Sequence, residues 1–225
     1  MLSLPQFGLV LALLGVPLFW AAFRFLKIEV LGILGRISLW LLAVATFAIA
    51  VSQFPDWRLL LGISSPTWLT VGHAAIGIGA ILTSWPAIHL IQRKFGTPFE
   101  QTANFKKVSS FPFSYRSFIV ITAGVTEEVL YRGYAIGVGN SLLGSLPLAV
   151  ALSLTIFVAL HLRWGLGHLI SVIWAGGVFT LMFIITNDLV ACIAAHIAVD
   201  AIGLLIVPWL VAMKEKRTFS AARGA

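Results

Sequence analysis

The sequence predicts an all-α protein, a polytopic transmembrane bundle of about seven helices. Of the 225 residues, 60% are hydrophobic and only 10% are charged. Soluble domains average about 45–50% apolar and about 25% charged residues, so this chain has too few polar side chains to cover a water-facing surface. Apolar runs of the length that crosses a bilayer, about 20 residues, also recur along the sequence. Lipid is therefore the expected surrounding of most of the outer surface.

Short polar breaks divide the apolar residues into seven expected spans. The breaks include Pro55-Asp56 after the second span and Asn187-Asp188 after the sixth. No lysine or arginine precedes Arg24, so the first run lacks the basic segment of a signal peptide and is expected to stay as a helix. The spans are residues 5–23, 34–53, 67–91, 117–136, 141–162, 166–186 and 188–211.

Positive charge is concentrated in alternate loops, which predicts the orientation of the bundle. Cytoplasmic loops of membrane proteins carry an excess of Lys and Arg, so these loops and the C-terminus are expected in the cytoplasm. Topology then accounts for the net charge of +7, and the lipid bilayer rather than a nucleic acid is the expected partner. Thirteen of the fifteen basic residues lie on this side: Arg24, Lys27, Arg36, Arg93, Lys94, Lys106, Lys107, Arg116, Arg163, Lys214, Lys216, Arg217 and Arg223.

The fourth span contains three charged residues, Glu127, Glu128 and Arg132. A charge at the bilayer centre costs roughly 2.5–3.5 kcal/mol on insertion scales, and such residues usually face a bundle interior and have a function. Glu128 and Arg132 are four residues apart and are expected to form an internal ion pair. Glu127 points about 100° away around the helix, so it is available to act as a general base.

Two later spans add ionisable groups at helical spacing. Phe157 and His161 share one face of the fifth span, and His196 and Asp200 share one face of the seventh. We expect His161 and His196 to join the glutamates in one hydrated site. The remaining histidines lack an acidic companion at helical spacing, and they are expected to be structural: His73, His89 and His168.

These residues form three motifs in a recognisable order. Residues 127–132 fit E-E-x-x-x-R, residues 157–161 fit F-x-x-x-H, and residues 196–200 fit H-x-x-x-(Asn or Asp). Over residues 117–211 the chain resembles the CPBP intramembrane proteases. That family includes the type II CAAX prenyl endopeptidases and bacterial abortive-infection or bacteriocin-immunity proteins.

The resemblance implies an intramembrane endopeptidase, acting on a peptide or a membrane-associated protein. It makes Glu127 the base that activates a water molecule, with His161 helping to hold that water. Glu128 and Arg132 would support and orient the site. Peptide hydrolysis consumes water, so we expect a cavity to reach these groups from the cytoplasm.

The resemblance also implies that His196 and Asp200 face the scissile carbonyl and its developing oxyanion. The prenyl-protease branch typically has Asn at the position of Asp200, and a carboxylate donates to an oxyanion only when protonated. Asp200 could instead orient His196 or ligate a metal. The favoured expectation is catalysis without a cofactor. The alternative is zinc held by Glu127, His161 and His196 with an open position for water.

The expected organisation has four parts. Residues 1–95 form N-terminal transmembrane helices without a recognised motif, and residues 96–116 form a cytoplasmic loop rich in basic and aromatic side chains. Residues 117–211 form the CPBP-like catalytic core, and residues 212–225 form a basic cytoplasmic tail. Two alternative functions are compatible with the same residues. One is a proton-coupled transporter in which the ionisable side chains relay protons, and the other is a non-catalytic membrane scaffold or immunity protein.

Overall fold

The computed structural model describes residues 1–95, 102–210 and 213. The first part of the predicted loop, residues 96–101, lies outside the described residues, as does the predicted tail apart from residue 213. The rest of that loop is more ordered than predicted, since it contains a short helix and the start of the next. The division into four parts stays a prediction.

Helices make up the described chain, and no strand occurs in it. Two segments have π-helical geometry, Glu128–Val138 and Ile202–Ile206, and Leu162–Trp164 forms one 3₁₀ turn. The α-helices are α1 (Leu4–Phe25), α2 (Ile33–Gln53), α3 (Trp57–Leu60), α4 (Trp68–Phe95), α5 (Ala103–Ser109), α6 (Phe113–Glu127), α7 (Gly139–Leu143), α8 (Leu146–Leu160), α9 (Leu166–Thr186) and α10 (Leu189–Ala201).

Six helices are long and apolar enough to cross a membrane. The predicted fold class, a transmembrane helical bundle, is confirmed, with a span count close to the predicted seven. The remaining predicted span falls in the helical stretch 113–143, where α6, the π-helical segment and α7 follow one another. The six are Leu4–Phe25, Ile33–Gln53, Trp68–Lys94, Leu146–Trp164, Leu166–Thr186 and Leu189–Leu210.

Local sequence signals begin several of these helices. Ser3 and Gln6 form a capping box at the start of α1, and the Ser145 side chain caps α8 by accepting from the Leu148 amide. Asp188, in the polar break after the sixth predicted span, caps α10 by accepting from the Ala191 amide at 3.0 Å. Each cap satisfies a backbone amide that the helix itself leaves without a partner.

The basic loops meet at one end of the bundle. Lys107 on α5 forms a 2.7 Å ion pair with Glu29 in the α1–α2 loop. Asn104 donates to the backbone carbonyl of Arg163 in the α8–α9 connection, and Tyr115 donates to the carbonyl of Leu31. The α1–α2 loop, the described part of the segment between α4 and α6, and the α8–α9 connection therefore lie at one end of the bundle. The charge pattern predicts this arrangement.

The N-terminal helices pack directly on the helices that carry the three motifs. One core cluster joins Leu9 on α1 and Leu42 on α2 to Tyr134 in the π-helical segment and Phe157 on α8. Gly137 allows close contact there, because a Cβ atom at this position would meet the carbonyl oxygen of Leu60. α1 and α2 thus form part of the wall around the motif residues.

Candidate active site

The two adjacent glutamates lie at a change of helical geometry. Glu127 is the last residue of α6, and Glu128 is the first of the π-helical segment. Glu128 is completely buried, whereas Glu127 is partly exposed. π-Helical geometry is rare and is frequently found at functional sites. The chain therefore gives these neighbouring carboxylates two different environments.

Glu128 is held by two partners through one carboxylate oxygen. Its Oε1 accepts from Nη1 of Arg132 at 2.8 Å and from Nδ1 of His196 at 2.7 Å. Arg132 is 1% exposed and also donates from Nη2 to the backbone carbonyl of Gly176 at 3.0 Å. The ion pair expected from the four-residue spacing is present, and it connects the π-helical segment with α9 and α10.

Two phenylalanine rings complete the surroundings of this ion pair. The Arg132 guanidinium lies 4.6 Å from the ring centroid of Phe157 and 5.7 Å from that of Phe179. The His196 ring stacks on Phe179 with centroids 5.1 Å apart, and the His161 ring lies 4.8 Å from Phe157. Cation–π contacts of about 2 kcal/mol are typical of desolvated sites, so these rings help to retain the buried charge.

The hydrogen bonds of the histidines determine which ring nitrogen is left for the cavity. Nδ1 of His161 lies 2.7 Å from the carbonyl oxygen of Phe157, and a carbonyl only accepts, so Nδ1–H donates. Nδ1 of His196 likewise donates to the carboxylate of Glu128. Nε2 of His196 lies 3.6 Å from Oδ2 of Asp200. In both histidines Nε2 remains for a ligand or a water molecule.

A cavity of about 210 Å³ connects the motif residues. Glu127 from α6, His161 after the end of α8, and His196 and Asp200 from α10 all line it. The predicted site residues thus fall into two groups. These four line the cavity, whereas Glu128 and its ion-pair partner Arg132 are buried behind the cavity wall. His161, which the sequence places closer to a membrane surface than Glu127, reaches the others through this shared cavity.

Two arginines in the same cavity were missed as site residues. The sequence assigned Arg36 and Arg163 to charged loops on the cytoplasmic side. Arg36 instead lies in the first turn of α2 with 5% exposure, and both arginines line the cavity and are attracted to the Glu127 carboxylate. No sequence signal separates them from the other basic residues, since their position depends on how α2 and the α8–α9 connection pack.

The three side chains of the zinc alternative, Glu127, His161 and His196, all line the cavity. Residues 1–95, 102–210 and 213 contain no group of three His, Cys, Asp or Glu side chains placed to hold a metal ion. Nδ1 of each candidate histidine is engaged, with Phe157 for His161 and Glu128 for His196, and metal-binding histidines commonly make such bonds while ligating through the other ring nitrogen. The side chains of Glu127, His161 and His196 are thus not gathered as a metal site in this arrangement, and metal dependence stays open to test.

The comparisons with known proteins identify the family. Residues 109–202 match the model of the family described as Type II CAAX prenyl endopeptidase Rce1-like, and all three motifs lie inside this segment. The resemblance predicted from the motifs is thereby confirmed for this segment, which is similar to a family of CAAX-type intramembrane endopeptidases. Neither the curated proteins nor the solved structures yield a match.

Outside the cavity, the three other histidines differ in their surroundings. His73 lies 3.2 Å from Oδ2 of Asp188, far along the bundle from the basic loops, and links α4 to α10. His89 is partly exposed on α4 and does not line the cavity. His168 lies in the cavity wall, with its ring 6.2 Å from that of His161. The structural role predicted for these three residues stays a prediction.

Proposed function

We propose that the chain is an intramembrane endopeptidase in which Glu127 activates the water molecule that hydrolyses the peptide bond. The observation that supports this most is the convergence of four side chains on one cavity inside a helical membrane bundle. They are Glu127, His161, His196 and Asp200, from three separate helical regions. Ionisable groups are rarely buried in membrane proteins without a functional reason.

Glu127 is the proposed base, and Glu128 is the proposed support. Glu128 is completely buried, does not line the cavity and is bound to Arg132 and His196, so water and a peptide do not reach it. Glu127 lines the cavity, where water and a peptide can reach it. His161 offers Nε2 to the same water molecule because its Nδ1–H is committed to Phe157.

The proposed reaction needs these groups in a fixed order. Glu127 takes a proton from water, and the oxygen attacks the carbonyl carbon of the scissile bond. Nε2–H of His196, as an imidazolium, donates to the oxyanion, and Asp200 would assist if it is protonated. The C–N bond then breaks, and Glu127 returns the proton to the leaving amine. Glu128 holds His196 in orientation throughout.

We also propose that the basic end of the bundle faces the cytoplasm. Lys107 and Arg163 lie in loops that contact each other at this end, and loops rich in Lys and Arg stay on the cytoplasmic side. A substrate would then enter the cavity from that side. The substrate itself is proposed as a peptide or a membrane-associated protein, in keeping with the family.

Proteolysis by the purified protein in detergent tests the proposal. Fluorogenic peptides are incubated with the wild type, Glu127→Ala and His161→Ala, each with and without a chelator. The matched controls are Glu29→Gln and His89→Ala, an acidic residue and a histidine that lie outside the cavity. Loss of one acid–base group reduces a rate by about 10²–10⁴-fold. Equal cleavage by the wild type and both cavity variants would reject the assignment.

The samples with chelator distinguish metal-independent hydrolysis by Glu127 from hydrolysis that depends on zinc. We expect cleavage to be unchanged by chelation, since the water is activated by Glu127 alone. Loss of cleavage with chelator, restored by added zinc, would assign the reaction to a metal and replace this mechanism. The controls Glu29→Gln and His89→Ala should keep wild-type activity in both conditions.

A further inference from the structure

Pro208 interrupts the backbone hydrogen bonding of the last spanning helix. In an α-helix the carbonyl of Leu204 accepts from the amide of residue 208, but proline has no amide hydrogen and its ring displaces that carbonyl. The segment Ile202–Ile206 just before the proline is π-helical, and the Val207 amide donates to the carbonyl of Ile202, five residues back. The Leu204 carbonyl is therefore left without its ordinary partner inside the helix.

Arg116 supplies a partner for this carbonyl from a neighbouring helix. Its Nη1 donates to the carbonyl oxygen of Leu204 at 2.9 Å. Arg116 lies in the first turn of α6, where the helix macrodipole disfavours a cation, so a specific partner rather than the helix itself explains its position. Leu204 packs with Val108 and Ile119, and all three line the cavity. An arginine that the sequence assigned to topology thus completes the hydrogen bonding of a broken helix at the cavity wall.

Two contacts with α6 hold the part of the last helix that carries Asp200. The first is the bond between Arg116 and the Leu204 carbonyl. The second is a close approach of Gly124 to Ile197, because a Cβ atom at this glycine would meet the Ile197 side chain. Asp200 lies between Ile197 and Leu204 along the chain, so the contacts restrain it from both sides. Its placement relative to α6 therefore depends on both of them.

We propose that Arg116 is a positioning residue that fixes Asp200 in the cavity through the carbonyl of Leu204. Arg116 itself does not line the cavity, so it acts through the helix and not on the substrate. The inference rests on the proposed function, in which Asp200 and Glu127, at the end of α6, act on the same peptide bond. His196 has a separate support in its hydrogen bond to the buried glutamate, so the effect of Arg116 is confined to Asp200.

Peptide cleavage in detergent tests the effect on the site. Arg116→Met removes every donor of the side chain but keeps its unbranched shape, and Arg116→Lys keeps one cationic donor. Asp200 is proposed to act on the oxyanion, which forms only in the transition state, so Arg116→Met should lower kcat and leave KM nearly unchanged. A misplacement of about 1 Å lowers a rate by about 10²-fold, so the expected loss in kcat is roughly 10- to 100-fold. Arg116→Lys should recover most of it.

Two comparisons separate positioning from a general loss of structure. The matched control is Arg24→Met, because Arg24 is an exposed arginine in the last turn of α1, outside the cavity, and this variant should keep the wild-type kcat. The second comparison uses Asp200→Ala protein, with longer incubation to measure its residual cleavage. There Arg116→Met should cause little further loss, because the group that it positions has already been removed.

Thermal unfolding in detergent tests the contact itself without relying on turnover. Pro208→Ala provides an amide for the Leu204 carbonyl, so this carbonyl then depends less on the arginine. Arg116→Met should therefore lower the midpoint of unfolding by less in Pro208→Ala protein than in the wild-type background. If Arg116→Met does not fold, Arg116→Gln, which has a shorter and uncharged side chain, takes its place in all of these measurements.

Four results would overturn the inference. They are a wild-type kcat in Arg116→Met, no recovery in Arg116→Lys, the same fold-loss of cleavage in the wild-type and Asp200→Ala backgrounds, and the same shift in unfolding midpoint with and without Pro208. Absence of cleavage by the wild type would instead reject the proposed function. The unfolding measurements would then still decide whether Arg116 replaces the missing amide in the last helix.

Discussion

Replacing Arg132 by methionine should strongly destabilise the protein. The substitution removes the 2.8 Å bond to Glu128, the 3.0 Å bond to the Gly176 carbonyl and the contacts with two phenylalanine rings. It leaves a fully buried carboxylate with His196 as its remaining hydrogen-bond donor among the described residues. Breaking a buried ion pair by removing one partner costs about 3–5 kcal/mol. We expect a loss of free energy of unfolding in this range.

The single cysteine provides the assay. Cys192 is completely buried on α10, so a thiol-reactive fluorophore labels it only when the bundle opens. Labelling during a denaturant titration in micelles then reports the free energy of unfolding. The double variant Glu128→Gln with Arg132→Met should be more stable than Arg132→Met alone, because no unpaired charge remains.

A matched control and a refuting result complete this test. Arg58→Met removes an arginine that is exposed and stacks on Trp57, so it should change stability by no more than about 0.5 kcal/mol. If Arg132→Met were as stable as the Arg58 control, the ion pair would not hold the site together. If the double variant were less stable than Arg132→Met, the reasoning about an uncompensated carboxylate would be wrong.

Two further substitutions separate supporting groups from reacting ones. Tyr131→Phe removes a buried hydroxyl that has no hydrogen-bond partner among the described residues. Cys192 labelling should therefore show equal or higher stability, and peptide cleavage should persist. A loss of cleavage would instead assign that hydroxyl to the reaction. Asp200→Asn provides an amide that donates to an oxyanion without being protonated, so cleavage should be kept or increased, whereas Asp200→Ala should lower it. Lower cleavage by Asp200→Asn than by Asp200→Ala would show that the carboxylate itself is needed.

The elements that could be predicted from the sequence depend on local chemistry. The length of an apolar run predicts a spanning helix whatever its neighbours are, and the fold class was predicted on this basis. The ion pair of Glu128 and Arg132 was also predicted, because residues four apart on a helix are neighbours. His196 and Asp200 are also four residues apart, which predicts that their side chains are neighbours, and Nε2 of His196 lies 3.6 Å from Oδ2 of Asp200.

The elements that could not be predicted depend on how helices pack. Arg36 is one of many basic residues near a helix end, and only the packing of α2 against the motif helices places it in the cavity. Phe179 is one of 16 phenylalanines, and its stack on His196 joins α9 to α10. The π-helical geometry that begins at Glu128 gives no sequence signal of its own.

The different surroundings of the two glutamates support the proposal that one short motif provides both a support and a base. Glu127 and Glu128 are chemically identical and adjacent, so their roles must come from their surroundings. Glu128 faces Arg132 and His196 with no exposure, and its charge fixes the orientation of the histidine. Glu127 faces a cavity with Arg36 and Arg163 nearby, where its carboxylate can be attracted to cations and still meet water. An exchange of roles would require the helix to rotate, which the contact of Arg132 with the Gly176 carbonyl opposes.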